Sequence, residues 1–304
     1  MINIIFALLL IFFFSGCQNT EPQNGYAPKY SESPPIAKKT IYIFGIYMGE
    51  NPKSFFDIYQ PMVDYINGRL TDSELRIEAS RNYASYNQKL FSGHFDFALS
   101  NPYATVTAVE HGYRIFGKMG DDKNFRGLII VRKDSNIKSV DDLRGKVISY
   151  PSSTALAAAI MPQWYFYKHG LDINKDITNS YVGSQESSIM NVYLRKSDVA
   201  CTWPPPWHNF VKKRPEMAKE LMIKWETPSL INNGLVVRND IPDTVVKQVG
   251  EIIFSLHTDE EGRKILGAMD LNRYEKADDQ TYERVRVFLK NFENQIRPMR
   301  LNNE

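Results

Sequence analysis

The sequence has little of what a disulfide framework, a metal site or a nucleic-acid interface would need. Its 304 residues include two cysteines and five histidines, and no histidine has a second His or Cys at helical or turn spacing. Its 37 Lys and Arg against 35 Asp and Glu give a formal charge of only +2, with no basic stripe interleaved with aromatic residues. We therefore expect neither a metal ion nor a nucleic-acid partner.

Catalytic signatures are also missing. Ser152 does not sit in a nucleophile elbow, and the chain has no glycine-rich phosphate loop. Glu186 and Asp198 could be read as paired carboxylates for acid-base chemistry. The dipole of a helix explains Glu186 more simply, and the edge of its own strand explains Asp198. We expect a protein that is not an enzyme and has no cofactor.

The chain begins with a short apolar run that predicts a secretory signal over residues 1–17. Phe14 to Cys17 resembles the bacterial lipoprotein cleavage box, in which the cysteine becomes the lipidated first residue, although no Lys or Arg precedes the run. A plain signal peptide, or an anchor helix with an incidental cysteine, is the alternative. If Cys17 carries the lipid, Cys201 has no disulfide partner and is expected to be a small buried hydrophobic residue.

Residues 18–39 are rich in Pro, Ser and Asn, which is typical of a flexible tether. At full extension such a segment spans at most roughly 70 Å. We therefore expect a folded part that is lipid-anchored on the extracytoplasmic side of a membrane, in the periplasm or at the cell surface.

From Thr40 onward, short apolar runs alternate with amphipathic stretches, which predicts an α/β protein with mostly parallel sheets. The pattern restarts after residue 130, and about 260 residues of alternating elements exceed one comfortable sheet. We predict two lobes, with residues 40–130 in lobe 1, residues 131–225 in lobe 2 and residues 226–304 back in lobe 1. The segment from Thr244 to Ile296 is predicted to be helical throughout.

The stretch Tyr150-Pro-Ser-Ser-Thr154 follows a predicted strand and precedes an alanine-rich helix that we expect to begin at Ser153 or Thr154. The hydroxyls there could simply cap the helix. They could also form an anion cradle with the free amides of the first helical turn. Polar turns at 100–103 and 183–186 occupy equivalent junctions, and such junctions converge at the carboxyl edge of parallel strands. This convergence favours a site for a small oxyanion.

The order and spacing of several segments resemble the phosphate, phosphite and phosphonate substrate-binding proteins of bacterial ABC importers, which have the type II periplasmic-binding-protein fold. The segments are FGI (44–46), residues 82–104, residues 127–148, PSST (151–154), residues 182–200 and GLVVR (234–238). The resemblance implies two lobes that close like a hinge on a ligand and a membrane permease that receives it.

Position by position, the anion cradle of that family falls on Ser153 and Thr154, and its tyrosine after the second strand falls on Tyr83. Three positions depart from the family: Ala155-Leu156 replace Ser-Gly, Phe125 replaces a tyrosine, and Gln185 replaces a histidine. The expected ligand-binding residues are Tyr47, Tyr83, Asn101, Tyr103, Phe125, Ser152, Ser153, Thr154, Gln185 and Trp203.

Where aminoalkylphosphonate binders of this family carry acids, this chain has Trp203 to Trp207 and Asn232-Asn233. A buried, unpaired ammonium is costly, so 2-aminoethylphosphonate is not expected to bind. The tryptophan segment could form an apolar wall for a larger organic ligand, such as a sulfonate or a heteroaromatic compound, or it could be ordinary packing. We predict a monomeric importer component. A sensor that partners a signalling receptor, or a degenerate binding fold retained for surface interactions, is the alternative.

Overall fold

The computed structural model describes residues 39–47 and 52–299, with only the backbone of residues 52–54. The predicted signal, with Cys17, and the predicted tether up to residue 38 lie outside the described residues. The described residues belong to one compact unit, which contains both of the sheets described below.

Eleven strands are found in the described residues. They are β1 (Thr40–Ile46), β2 (Ser73–Ala79), β3 (Phe97–Ser100), β4 (Tyr113–Met119), β5 (Leu128–Arg132), β6 (Val147–Tyr150), β7 (Thr178–Tyr181), β8 (Val199–Thr202), β9 (Leu221–Glu226), β10 (Gly234–Arg238) and β11 (Tyr274–Lys276).

The described residues also contain ten α-helices. They are α1 (Pro52–Asn67), α2 (Tyr83–Phe91), α3 (Pro102–Glu110), α4 (Met161–Lys168), α5 (Gln185–Tyr193), α6 (Pro204–Lys213), α7 (Pro215–Ala218), α8 (Asp243–Ser255), α9 (Glu260–Ala268) and α10 (Glu283–Gln295).

The strands form two sheets. The first has the order β11-β4-β10-β3-β1-β2, and the second has the order β7-β6-β8-β5-β9. We call the parts of the chain around them lobe 1 and lobe 2. The chain passes from lobe 1 to lobe 2 between Met119 and Leu128, and it returns between Glu226 and Gly234.

Strand directions in the two sheets are mixed. β1, β2 and β3 pair in parallel, as do β6, β7 and β8. β10 lies between β3 and β4 and is antiparallel to both, and β5 lies between β8 and β9 in the same way. The expectation of mostly parallel sheets therefore fails at these pairings.

The two antiparallel strands show where the lobes meet. β5 and β10 are the first strands after the two crossings between lobes, so they enter their sheets at the crossing side. Gly234 at the start of β10 pairs with Ser100 at the end of β3, and Leu128 at the start of β5 pairs with Thr202 at the end of β8. The crossings therefore lie at the carboxyl ends of the parallel strands, which is the edge where α/β sheets bind ligands.

The helices begin where local sequence signals place them. Asn82 caps α2 by accepting a hydrogen bond from the Ser85 amide at 2.8 Å, and Ser184 caps α5 through the Ser187 amide at 3.1 Å. Asn101 caps α3, with Pro102 as the first helical residue. Each of these caps lies at a strand-to-helix junction, so each helix start is directed at the crossing edge.

Two elements differ from what the sequence predicts. β4 is not predicted, because its charged residues Arg114 and Lys118 hide the apolar pattern. Lys118 is buried in the structure and pairs with Asp122 and Glu275, both at 2.9 Å. The stretch from Thr244 to Ile296 is not helical throughout, since β11 adds an edge strand to the first sheet.

Candidate ligand-binding site

A cavity of about 330 Å³ lies between the two sheets. Its lobe 1 side includes Tyr47, Leu99 and Asn101, which stand at the ends of β1 and β3. Its lobe 2 side includes Ala155, after β6, and Gln185, at the start of α5. The carboxyl edges of both sheets therefore face a common space, as the strand-helix alternation predicts.

Six of the ten predicted site residues line this cavity. They are Tyr47, Tyr83, Asn101, Phe125, Gln185 and Trp203. The hydroxyl-bearing turn Ser152–Thr154 is buried beside the cavity and does not line it. Tyr103 does not line it either, because its side chain lies within a buried core cluster and its hydroxyl donates to the Met299 carbonyl oxygen at 3.5 Å.

The helix after β6 begins later than the sequence predicts. Its first turn is a π-helical turn over Leu156–Ile160, and Ala155 precedes it without any side-chain cap. The Ser152 hydroxyl accepts the Thr154 amide at 3.3 Å and lies 3.2 Å from the Thr154 hydroxyl. Ser152 and Thr154 thus close a turn ahead of the helix, and neither alternative from the sequence, a cap or a hydroxyl cradle at the helix start, describes the arrangement.

Residues Ala155–Ala158 line the cavity, whereas those hydroxyls do not. The Ala155 amide donates to the Ser152 carbonyl oxygen at 3.3 Å, so the helix start proper begins with the amide of Leu156. The first amides of a helix have no intrahelical acceptor and lie at its positive end, so they attract anions. The methyl side chains of alanine leave room for a ligand to reach these amides. We call residues 155–158 the cradle segment, or cradle; it lies a few residues after the position at which the sequence predicts an anion cradle.

The π-helical turn has two local causes. Pro162, early in α4, cannot donate a backbone hydrogen bond, and a proline inside a helix breaks the regular pattern. Gly127, which immediately precedes β5, packs against this turn, because a Cβ atom there would lie 2.5 Å from the Ala157 carbonyl oxygen and 2.9 Å from Pro162 Cγ. The position of the cradle therefore depends on the first crossing segment.

Contacts between the lobes reach the turn that precedes the cradle. Asn87 Nδ2 of lobe 1 donates to the Thr154 hydroxyl at 3.4 Å, and Asn101 Nδ2 lies 3.5 Å from the Thr154 carbonyl oxygen. The Asn87 side chain is fully buried, and its Oδ1 has no hydrogen-bond partner among the described residues. Both asparagines thus bring polar groups of lobe 1 to the cradle turn of lobe 2.

Gln185 forms a second polar link between the lobes. Its Nε2 donates to the Tyr83 hydroxyl at 3.2 Å, and its Oε1 accepts the Thr202 hydroxyl at 2.8 Å. Thr202 is fully buried, so it fixes the orientation of the amide. Gln185 consequently directs its N–H donors toward Tyr83 and the cavity, as expected for a neutral replacement of a histidine.

Aromatic side chains form two groups in the cavity wall. The ring centroids of Tyr47 and Tyr83 are 3.7 Å apart in lobe 1. Those of Phe125 and Trp203 are 5.6 Å apart on the opposite side. Pro205 and Pro206 also line the cavity, whereas Trp207 is buried against Phe210 in the core of lobe 2. The start of the tryptophan segment therefore faces the cavity, and its end is ordinary packing.

Arg297 is a cation near the cradle that the sequence analysis does not identify. It follows α10 of lobe 1 and donates to the Ser153 carbonyl oxygen of lobe 2 at 2.7 Å. It also donates to Gln163 Oε1 at 3.0 and 3.1 Å. Nothing in the local sequence marks this role, because the two segments are more than 140 residues apart.

A further hydrogen-bonded pair joins the lobes at a more exposed end of the cavity. His208 Nδ1 of α6 lies 2.7 Å from Asp270 Oδ2, which follows α9 in lobe 1, and both residues line the cavity. Their side chains are 60% and 49% exposed. The pair therefore spans the mouth of the cavity, while Gln185 and Tyr83 meet at its buried end.

Cys201 is fully buried in β8, and this burial raises the pKa of its thiol well above the usual value. The thiol is therefore neutral and packs as a hydrophobic group, as predicted.

A family model described as "ABC transporter, phosphonate, periplasmic substrate-binding protein" matches residues 44–282, more than three quarters of the chain. The chain belongs to this family. Membership makes it the extracytoplasmic substrate-binding component of an ABC transporter, a transport protein with a small ligand and a membrane permease as partners. The predicted resemblance is confirmed.

Solved structures of phosphonate-binding proteins have a fold similar to that of this chain. A binding protein component of an ABC phosphonate transporter from Pseudomonas aeruginosa is 21% identical, with a TM-score of 0.77 over 85% of this chain and 88% of that one. PhnD1 from Prochlorococcus marinus, in complex with methylphosphonate, is 19% identical, with a TM-score of 0.76 over 84% and 99%.

A more distant likeness extends to a sulfonate binder. The alkanesulfonate-binding protein of Xanthomonas axonopodis pv. citri, bound to MOPS, is 15% identical, with a TM-score of 0.56 over 83% of this chain and 85% of that one. These likenesses confirm the two-lobed type II periplasmic-binding-protein fold.

Two searches of the described residues bear on the predicted partners. Over residues 39–47 and 52–299, no helix is long and apolar enough to cross a bilayer. Within the same ranges, no three His, Cys, Asp or Glu side chains form a group that could hold a metal ion.

Proposed function

We propose that this phosphonate-family protein captures the oxyanion head of a phosphonate against the Ala155–Ala158 backbone, between its two lobes. The observation that carries the proposal is the meeting of this helix start with Tyr83, Asn101 and Gln185 in one interlobe cavity. A phosphonate oxygen accepts hydrogen bonds and carries negative charge. Free amides, a phenol and two carboxamides are donors that suit it.

The electrostatic part of the proposal rests on the backbone dipoles of the helix start and on the charge of Arg297, which binds the cradle turn. The Arg297 guanidinium binds the Ser153 carbonyl oxygen and places a positive charge behind the cradle turn. In a partly buried site, such a charge is screened less than it would be in bulk water. Lys212 of α6 also lines the cavity and adds a second positive charge to it, so the cavity as a whole favours an anion.

The turn Ser152–Thr154 keeps a place in the proposed site as its support. The Thr154 hydroxyl accepts a hydrogen bond from Asn87 of lobe 1, and the Ser152 hydroxyl accepts one from the Thr154 amide. Loss of these hydroxyls would leave the amides of the cradle free to move. We propose that Tyr103, which packs against the C-terminal segment, has no contact with the ligand.

Delivery to a permease and attachment to a membrane complete the proposal. The apolar run that ends at Cys17, followed by the Pro- and Ser-rich segment 18–39, supports a lipidated monomer tethered at the membrane surface. We propose that the lobes of residues 40–130 with 226–304, and of residues 131–225, move about the two crossings to take up and release the ligand. The second sheet itself begins at Leu128, slightly before the predicted boundary.

Calorimetry on the full chain in detergent tests the site. We expect methylphosphonate or phosphite to bind, and the double variant Ser152→Ala, Thr154→Ala to bind at least tenfold more weakly, because each lost hydrogen bond that holds the turn contributes about 1 kcal/mol. Thr178→Ala, on the edge strand β7 and exposed, is the matched control and should bind like the unmodified chain.

Three outcomes would count against parts of the proposal. A flat calorimetric trace with phosphite, methylphosphonate and phosphate would refute phosphonate capture. Unchanged affinity in the folded double variant would remove the Ser152–Thr154 turn from the site. Binding of an organosulfonate alone would assign the cavity to the sulfonate class instead.

A further inference from the structure

A second helix start borders the cavity, and unlike the cradle it has no free backbone N–H groups. Helix α6 follows β8 at the carboxyl edge of the second sheet, where a helix normally offers free amides. Its first three residues are Pro204, Pro205 and Pro206, which have no N–H to offer. Pro205 and Pro206 line the cavity. They therefore present ring carbons there in place of hydrogen-bond donors.

An aromatic pair extends this surface. The Trp203 ring is partly exposed and lies 5.6 Å from the buried Phe125 ring at an interplanar angle of 60°. We call Phe125, Trp203, Pro205 and Pro206 the apolar wall. It belongs to lobe 2 and to the first crossing segment. The wall therefore forms one side of the cavity that the backbone cradle also faces.

The size of the cavity exceeds the need of a one-carbon ligand. A volume of about 330 Å³ is at the lower end of the range for drug-sized ligands. It is equivalent to roughly ten waters of liquid volume at about 30 Å³ each. A methyl substituent would leave much of this space, and most of the wall, in contact with water.

The charges around the cavity disfavour an ammonium substituent. Among the described lining residues, Asp270 is the one carboxylate, and His208 contacts it at the exposed mouth. Lys212 of α6 and the amides of Asn209 and Asn233 also line the cavity, and Lys212 would repel an ammonium group. An ammonium group placed against the wall would lose water and gain no anionic partner.

We infer that the cavity selects phosphonates with an uncharged apolar substituent, aromatic or branched, which packs on the apolar wall while the head lies at the cradle. This inference rests on the proposed phosphonate binding and adds its substrate class. The missing N–H donors at the start of α6 also disfavour a second anionic group, such as a carboxylate, placed directly against the prolines.

Calorimetry on the full chain in detergent, with four probes, tests the substrate class. The probes are methylphosphonate, phenylphosphonate, phosphonoacetate and 2-aminoethylphosphonate. We expect phenylphosphonate to bind at least tenfold more tightly than methylphosphonate, since burial of an aromatic ring contributes that much. The other two should bind more weakly than methylphosphonate.

Three variants locate the effect. Trp203→Ala should reduce the preference for phenyl over methyl to threefold or less. Trp225→Ala, a partly buried tryptophan on β9 that does not line the cavity, should keep the full preference. Pro205→Ala restores one N–H at the start of α6 and should improve phosphonoacetate binding severalfold relative to methylphosphonate.

The outcomes separate this inference from the proposed function. If methylphosphonate binds as tightly as phenylphosphonate, or 2-aminoethylphosphonate binds most tightly, the substrate class is wrong while phosphonate capture stands. If none of the four probes binds, phosphonate capture itself is wrong. The ratio in the unmodified chain decides the question even if Trp203→Ala fails to fold.

Discussion

At the scale of single residues, the site combines side chains that the sequence indicates with one that it does not. Gln185 and Tyr83 were expected from the family resemblance, and the structure joins them by a hydrogen bond across the lobes. Arg297 could not be expected, because its partner Ser153 is distant in sequence and the contact is to a carbonyl oxygen. Every residue has a backbone carbonyl, so such a partner cannot be recognised from the residue type.

Replacement of Arg297 by alanine tests its electrostatic role. We expect Arg297→Ala to weaken phosphonate binding by about three- to tenfold, because it removes both a positive charge and a bond that holds the cradle turn. Arg297→Lys should recover part of the affinity, since it restores the charge without the two-pronged contact to Gln163. Calorimetry at low and at high salt measures both effects.

Arg263→Ala, on α9 and remote from the cradle turn, is the matched control and should not change the affinity. Equal affinity in Arg297→Ala and the unmodified chain, with both folded, would assign Arg297 to tail packing alone.

At the scale of elements, the cradle is a product of two segments that meet. The alanine-rich run after β6 supplies the amides, and Gly127 before β5 allows the crossing segment to approach them. The sequence does predict a helix start and an anion cradle near residue 153. It does not predict the π-helical turn, because that turn depends on Pro162 and on tight packing against the crossing.

Substitution of Gly127 by alanine tests this dependence. The added Cβ would lie 2.5 Å from the Ala157 carbonyl oxygen, a backbone atom that cannot rotate away. We expect Gly127→Ala to lower the free energy of unfolding by about 1 to 3 kcal/mol and to weaken phosphonate binding. Chemical denaturation and calorimetry measure the two effects.

Gly68→Ala serves as a control, because its Cβ would meet its nearest atom at an ordinary 3.5 Å. We expect little change in stability or affinity in this variant. If Gly127→Ala binds methylphosphonate normally, the cradle tolerates displacement of the π-helical turn, and our account of its position is wrong.

At the scale of the whole molecule, polar contacts link the lobes on both the buried and the exposed sides of the cavity. Gln185 and Tyr83 meet inside, and His208 and Asp270 meet at the mouth. The mouth pair is exposed, so its contribution to the closed arrangement is at most about 1 kcal/mol. That is enough to change the lifetime of a bound ligand severalfold without changing the fold.

The variant Asp270→Asn should release phosphonate up to about fivefold faster, because the pair that joins the lobes loses its carboxylate charge. Asp243→Asn, which removes a 2.7 Å ion pair with Arg114 inside lobe 1, is the matched control and should release at the normal rate. Stopped-flow dissociation measures both. A slower or unchanged rate in Asp270→Asn would show that the mouth pair does not hold the lobes together.

The sequence by itself determined the α/β class, the presence of two lobes, the family and six of the residues that line the cavity. These follow from hydrophobic periodicity, strand-to-helix junctions and the order of short segments, all of which are local along the chain. Lys118 shows the limit of that information, since its burial in β4 depends on partners that come from other elements.

Only the tertiary structure decided which groups face the ligand. It moved the cradle from the hydroxyls of Ser152–Thr154 to the backbone of Ala155–Ala158, separated Trp203 from Trp207, and brought Arg297 to the cradle turn. The physical reason is that a cavity between two lobes is formed by packing between distant segments. Residue type and spacing determine what each segment can offer, and packing determines which side of it the ligand meets.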